Sequence, residues 1–84
     1  MENNDKKKKI LVVEDERNIA QVLAYNIRKD GYDCDIASDG EEGLKMGLQG
    51  GYDLILLDIM LPKMNGFDVC ERIRRKSQVP IIFV

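Results

Sequence analysis

The sequence predicts an α/β fold, a parallel sheet with helices on both faces, and three observations carry that reading. Four short apolar runs alternate with stretches of helical periodicity. Two of those runs stop abruptly at carboxylates, Glu14-Asp15 and Asp58. The length of 84 residues admits one small domain at most. Strands separated by helices pair in parallel through crossover connections, which gives a layered α/β sheet.

Ile10–Val13 is a continuous apolar run ended by Glu14-Asp15-Glu16, and it suits a strand buried on both faces. Ile19, Val22, Leu23 and Ile27 then fall on one helical stripe. Asp15 is placed to cap that helix and Gly31 to end it. Tyr32–Ala37 alternates, with Tyr32, Cys34 and Ile36 against Asp33 and Asp35, as a half-exposed or edge strand does. Asp39 followed by Glu42 has the spacing of a capping box. It opens a second helix through Leu44, Met46 and Leu48, closed by Gly50-Gly51. Gly43 and Gly47 inside that helix should each cost about 0.5–1 kcal/mol relative to Ala, making it the softest element.

Leu54–Leu57 is the clearest buried-strand signal, and Asp58 terminates it. A loop from Met60 to Asn65 contains Pro62 and ends at Gly66; Phe67, Cys70 and Ile73 mark a third helix. Arg72, Arg74, Arg75 and Lys76 close that helix, where basic side chains complement its dipole. Val79–Val84 is the fourth strand, with Pro80 near its start, where a missing N–H does least harm.

Composition narrows the function. The chain has no His, which removes His-based general bases, His metal ligands and phosphohistidine on this protein. Its two cysteines, Cys34 and Cys70, are too few for a disulfide scaffold and are expected to be reduced. No apolar run approaches the roughly 20 residues that span a bilayer, and no signal-peptide pattern follows Lys6–Lys9, so a soluble cytoplasmic protein is expected. Residues 1–9 are expected to form a flexible basic lead-in to a domain over 10–84. From Ile10 onward 9 basic residues face 13 acidic ones, which argues against nucleic acid as the folded part's own partner.

In a parallel sheet the strand C-termini share one edge, where ligands of open α/β sheets bind. If the first and third strands are neighbours, Glu14, Asp15 and Asp58 meet there. Three clustered carboxylates repel one another unless a cation sits among them, and oxygen-only ligands point to a hard ion, Mg2+ first. A carboxylate beside such an ion fits phosphoryl transfer to aspartate. Glycoside hydrolysis also uses paired acids, but the chain has no room for a sugar cleft. The HAD-type phosphatases place a second Asp two residues after the nucleophile, and here that position is Met60.

The sequence resembles the receiver domain of two-component response regulators. The resemblance rests on Ile10-Leu11-Val12-Val13-Glu14-Asp15-Glu16, on Asp53 through Pro62 with Asn65-Gly66, and on Val79-Pro80-Ile81-Ile82, in that order and spacing. It implies a flavodoxin-like (CheY-like) sheet of strand order 2-1-3-4-5, and Asp58 as acceptor of a phosphoryl group from the phosphohistidine of a sensor histidine kinase. It further implies Mg2+ held by Asp15 and Asp58 directly, by Glu14 mainly through water, and by the backbone carbonyl of Met60. Pro62 and Gly66 would shape the loop. Such a module is a phosphoacceptor that assists its own phosphorylation and dephosphorylation rather than an enzyme with a separate substrate. The wording around Asp58 most resembles the transcription-regulating subgroup whose DNA-binding winged-helix output domain is absent from this sequence.

Family members carry a switch Ser or Thr after the fourth strand, and a Lys ending a fifth. This sequence contains neither, so the expectation is a partial receiver with β-α-β-α-β-α-β present. The competing reading is a truncated, non-signalling fragment that self-associates through an exposed sheet edge, as a homodimer or by exchanging elements.

Overall fold

A computed structural model describes residues 7–84. Four strands, β1 (Lys9–Val13), β2 (Asp33–Ala37), β3 (Leu54–Leu57) and β4 (Ile81–Phe83), form one sheet of order β2-β1-β3-β4. All three pairings are parallel. Helices α1 (Arg17–Lys29), α2 (Gly40–Gln49) and α3 (Gly66–Arg74) supply the connections. This is the α/β arrangement the alternating pattern predicts, and the first and third strands are adjacent, as the receiver-domain resemblance implies.

Period-two alternation divides the core into two layers. Leu11 and Val13 of β1 join Ala37, Ile55 and Leu57 beneath Val69 and Ile73 of α3, with Leu44 and Met46 of α2 packed against them. Val12, on the opposite face, joins Cys34 and Ala24, with Leu23, Ile27, Ile36 and Leu56 at the margin. Both cysteines are free thiols.

Several details correct the sequence reading. The buried stripe of α1 runs through Ala20 and Ala24 with Leu23 and Ile27, while Ile19 and Val22 are 50% and 60% exposed. Small alanines let the helix sit close to the sheet, so the larger apolar residues beside them face outward. The cap of α1 is Glu16, whose Oε1 accepts from the Asn18 N–H at 3.1 Å, and not Asp15. In α3 the buried residues are Gly66, Val69 and Ile73; Phe67 is exposed and instead tilts against Phe83 at 5.2 Å between ring centroids. Tyr32 lies outside β2 and is exposed. β4 is shorter than Val79–Val84: Pro80 contributes only its carbonyl, which accepts from the Ile55 N–H at 2.9 Å.

Of the expected lead-in, residues 1–6 lie outside the described residues. Lys7 and Lys8 are exposed, whereas Lys9 belongs to β1 and donates its N–H to Asp53 Oδ2 at 2.8 Å. The capping box at α2 is present in altered form: Asp39 Oδ1 accepts from the Glu42 N–H at 2.8 Å, while Glu42 Oε1 accepts from the Ser38 N–H, also at 2.8 Å. Among the described residues, no helix is long and apolar enough to cross a membrane.

Candidate functional site

Two backbone hydrogen bonds bring the acidic side chains together where β1 and β3 end. Val13 pairs with Leu57 in register, and the next N–H along, that of Asp58, donates to the Val13 carbonyl at 3.0 Å. The Glu14 N–H donates to Ala37 O at 3.0 Å, continuing the β1–β2 ladder by one residue. Apolar strands thus deliver Glu14, Asp15 and Asp58 to the same sheet edge. A carboxylate oxygen from each lies within 4.8 Å of one from each of the others.

The three occupy different environments. Glu14 is 7% exposed and is the one buried charged residue among those described. Burial pushes its carboxyl above the ordinary 4.5; the neighbouring Asp58 and Asp15 charges push the same way, and the Glu16 N–H partly offsets them by donating to Oε2 at 3.0 Å. Asp15 is exposed and Asp58 half-buried. Because Glu16 takes over the capping of α1, the Asp15 carboxylate is left for the cluster. Asp58 Oδ1 accepts from the Met60 N–H at 3.2 Å, which fixes the carboxylate against the start of the following loop.

That loop is built tightly. Gly66 N–H donates to Ile59 O at 2.7 Å, and a Cβ at Gly66 would lie 2.3 Å from the Asp58 carbonyl oxygen, so only glycine fits there. The Pro62 carbonyl accepts from Met64 N–H at 2.8 Å, closing a γ-turn around Lys63, whose φ is 70°. Met60, whose side chain is exposed, lines a shallow groove with Asp15, Pro62, Asn65 and Phe67. Glu14, Asp15 and Asp58 therefore converge, with Met60, Pro62 and Gly66 in the adjoining loop. Sequence reasoning missed Lys63: lysine carries no turn preference, and an Asn or Gly there would have signalled the positive φ.

The donor set suits a hard divalent cation. It offers three carboxylates and neighbouring carbonyls, with no thiolate or imidazole in the cluster, and a buried acid whose ionisation an adjacent cation would favour.

Fold and site together define a parallel α/β module with an acidic pocket at its topological switch point. The chain belongs to the response regulator receiver domain family, which matches it over residues 10–84. It is 47% identical over 76 residues to the response regulator ArlR of Staphylococcus saprophyticus, covering 90% of this chain and 34% of that protein. It is 50% identical over 78 residues to the alkaline phosphatase synthesis transcriptional regulatory protein PhoP of Bacillus subtilis, covering 92% of this chain and 32% of that one. The chain thus spans about a third of the length of these curated relatives. Among solved structures it resembles the response regulator TrrA of Thermotoga maritima in complex with Mg2+ and BeF, with a TM-score of 0.82 and 42% identity, covering 90% of this chain and 65% of that one. Fold, family and relatives agree on a receiver module of the two-component response regulator type.

Proposed function

We propose that this chain accepts a phosphoryl group on Asp58 from the phosphohistidine of a sensor histidine kinase. The observation that carries the reading is the convergence of the Glu14, Asp15 and Asp58 carboxylates at the C-terminal edge of the central strands. One Asp58 oxygen attacks the donor phosphorus in line; the P–N bond breaks, its electron pair leaves with the imidazole, and an acyl phosphate remains. Water later hydrolyses that acyl phosphate and restores the carboxylate. The module so assists its own phosphorylation and dephosphorylation, and has no separate substrate to turn over.

Asp15, Asp58 and the Met60 backbone carbonyl would hold Mg2+ directly, with Glu14 acting mainly through water. The ion, when bound, supplies charge that offsets the phosphoryl oxygens. The Met60 N–H orients the Asp58 carboxylate, and Pro62 and Gly66 hold the loop that carries Met60. The Mg2+–BeF complex of TrrA and the transcriptional role in the name of PhoP support this reading and its extension to a DNA-binding output domain. The cytoplasm, where kinase and DNA are both accessible, is the compartment in which such a module works.

Intact-mass measurement with a small-molecule phosphodonor tests the acceptor. The chain is expected to gain one phosphoryl group in Mg2+ and none in chelator. An Asp58→Asn chain that labels equally well would sink the assignment. A second reading, self-association, draws on β4, which lies at the sheet edge with Ile82 52% exposed and Val84 also open.

A further inference from the structure

The turn between β2 and α2 touches both halves of the acidic site. On one side the Ala37 carbonyl accepts from the Glu14 N–H. On the other, the Gly40 N–H donates to Pro62 O at 3.1 Å, the same carbonyl that closes the γ-turn around Lys63. Between them Asp39 uses both carboxylate oxygens: Oδ1 caps α2 through the Glu42 N–H, and Oδ2 lies 3.6 Å from Lys63 Nζ. A Cβ at Gly40 would fall 1.8 Å from Met64 O, so the turn and the loop are in direct backbone contact.

Lys63 is the one non-glycine with positive φ among the described residues. A residue in that region persists only where its surroundings hold it there. From outside the loop, the Gly40 N–H reaches the Pro62 carbonyl beside Lys63 and the Asp39 carboxylate reaches its Nζ. Hydrogen bonding from Glu42, with the Lys63 charge behind it, keeps the Asp39 carboxyl below the ordinary 3.8 and so ionised at neutral pH.

We propose that Asp39, with the Gly40 backbone, is a positioning brace that holds the strained Lys63 turn and so sets Met60 and Asp58 against Glu14 and Asp15. The inference rests on the phosphoacceptor reading for its purpose. Asp39 acts through the loop, and not on the reacting atoms.

The full chain is compared with Asp39→Asn, which keeps a good capping residue but loses the ion pair, and with Lys63→Gly, which accepts the positive φ without strain. Each variant is expected to bind Mg2+ about tenfold more weakly, as loss of an outer support does, and to slow Mg2+-dependent labelling by a similar factor. Urea midpoints should change little for Asp39→Asn and hold or rise for Lys63→Gly. In the metal-free protein the Gly40 and Met64 amides should exchange faster in both variants. Lys63→Arg should restore wild-type behaviour, and the double variant should resemble either single one. Wild-type Mg2+ affinity and amide exchange in both variants would overturn the brace, as would losses that merely track reduced stability. A wild-type chain that binds Mg2+ but takes no phosphoryl group would overturn the acceptor reading instead, with Mg2+ affinity and amide exchange still deciding the brace.

Discussion

Glu14 sits in a place that disfavours its charge, buried and facing two other carboxylates. Its folded pKa lies above the ordinary 4.5, so the ionised form costs stability at neutral pH, and that cost fades as pH falls through the raised value. Glu14→Gln is therefore expected to melt higher than wild type in chelator at pH 7, by a few degrees, since about 1 kcal/mol moves a domain of this size by roughly 4–8 °C. The advantage should shrink as pH falls through the raised value, and added Mg2+ should stabilise the variant less than wild type. Thermal melts across that pH range, with and without Mg2+, check all three. Gly66 sets the opposite limit. A Cβ there meets the Asp58 carbonyl and the Ile59 Cα, backbone atoms that cannot step aside. Gly66→Ala is expected to destabilise by about 2 kcal/mol, within the range for overpacked sites, and to slow Asp58 labelling; urea unfolding measures the first effect. Glu14, Asp15 and Asp58 were readable in the sequence because uninterrupted apolar runs fix where each strand ends. The turn at Lys63 was not, since its conformation is imposed by Asp39 and Gly40 from another connection.

At the scale of elements, α2 shows what its two interior glycines do. A Cβ at Gly43 would lie 2.7 Å from Val13 Cγ1 and 3.0 Å from Cγ2, on a buried β-branched side chain with little freedom to turn. A Cβ at Gly47 would meet Ile73 Cδ1 at 2.7 Å, a terminal methyl that a turn about χ2 can shift more readily than the methyls on Val13 Cβ. The same substitution should therefore have opposite signs in one helix. Gly47→Ala is expected to be neutral or stabilising by up to about 1 kcal/mol through helix propensity. Gly43→Ala should destabilise by about 1 kcal/mol as the clash with Val13 outweighs that gain. Paired urea titrations decide it. Sequence alone assigned both glycines only their cost in helix propensity, because the closeness of α2 to the sheet depends on packing. The same cause moved the buried stripe of α1: Ile19 and Val22 look like core by size, yet Ala20 and Ala24 sit against the sheet. The succession of strands and helices along the chain was legible from local periodicity, whereas the spatial order β2-β1-β3-β4 was implied by the resemblance to receiver domains.

Across the whole molecule the two faces of the sheet are unequally covered. On one, α2 and α3 pack over Leu11, Val13, Ile55 and Leu57, which are fully buried. On the other, α1 packs on β1 and β2, leaving the β3–β4 half, where Leu56 pairs in register with the exposed Ile82. β4 also presents an outer edge whose backbone groups can pair with another strand. Apolar surface beside an open edge favours a second copy of the chain, because pairing satisfies the edge and burial adds about 25 cal/mol per Å² of apolar area. This chain is therefore expected to dimerise as its concentration rises. Ile82→Lys places a charge within that contact and should shift the equilibrium to monomer, while leaving Mg2+ binding intact, since its β3 partner Leu56 lies one residue short of the end of that strand, before the acidic site begins. Sedimentation equilibrium on both proteins separates the outcomes. A wild-type chain that stays monomeric at every concentration would show that the uncovered face is tolerated in water, and that α1, α2 and α3 suffice to hold the sheet.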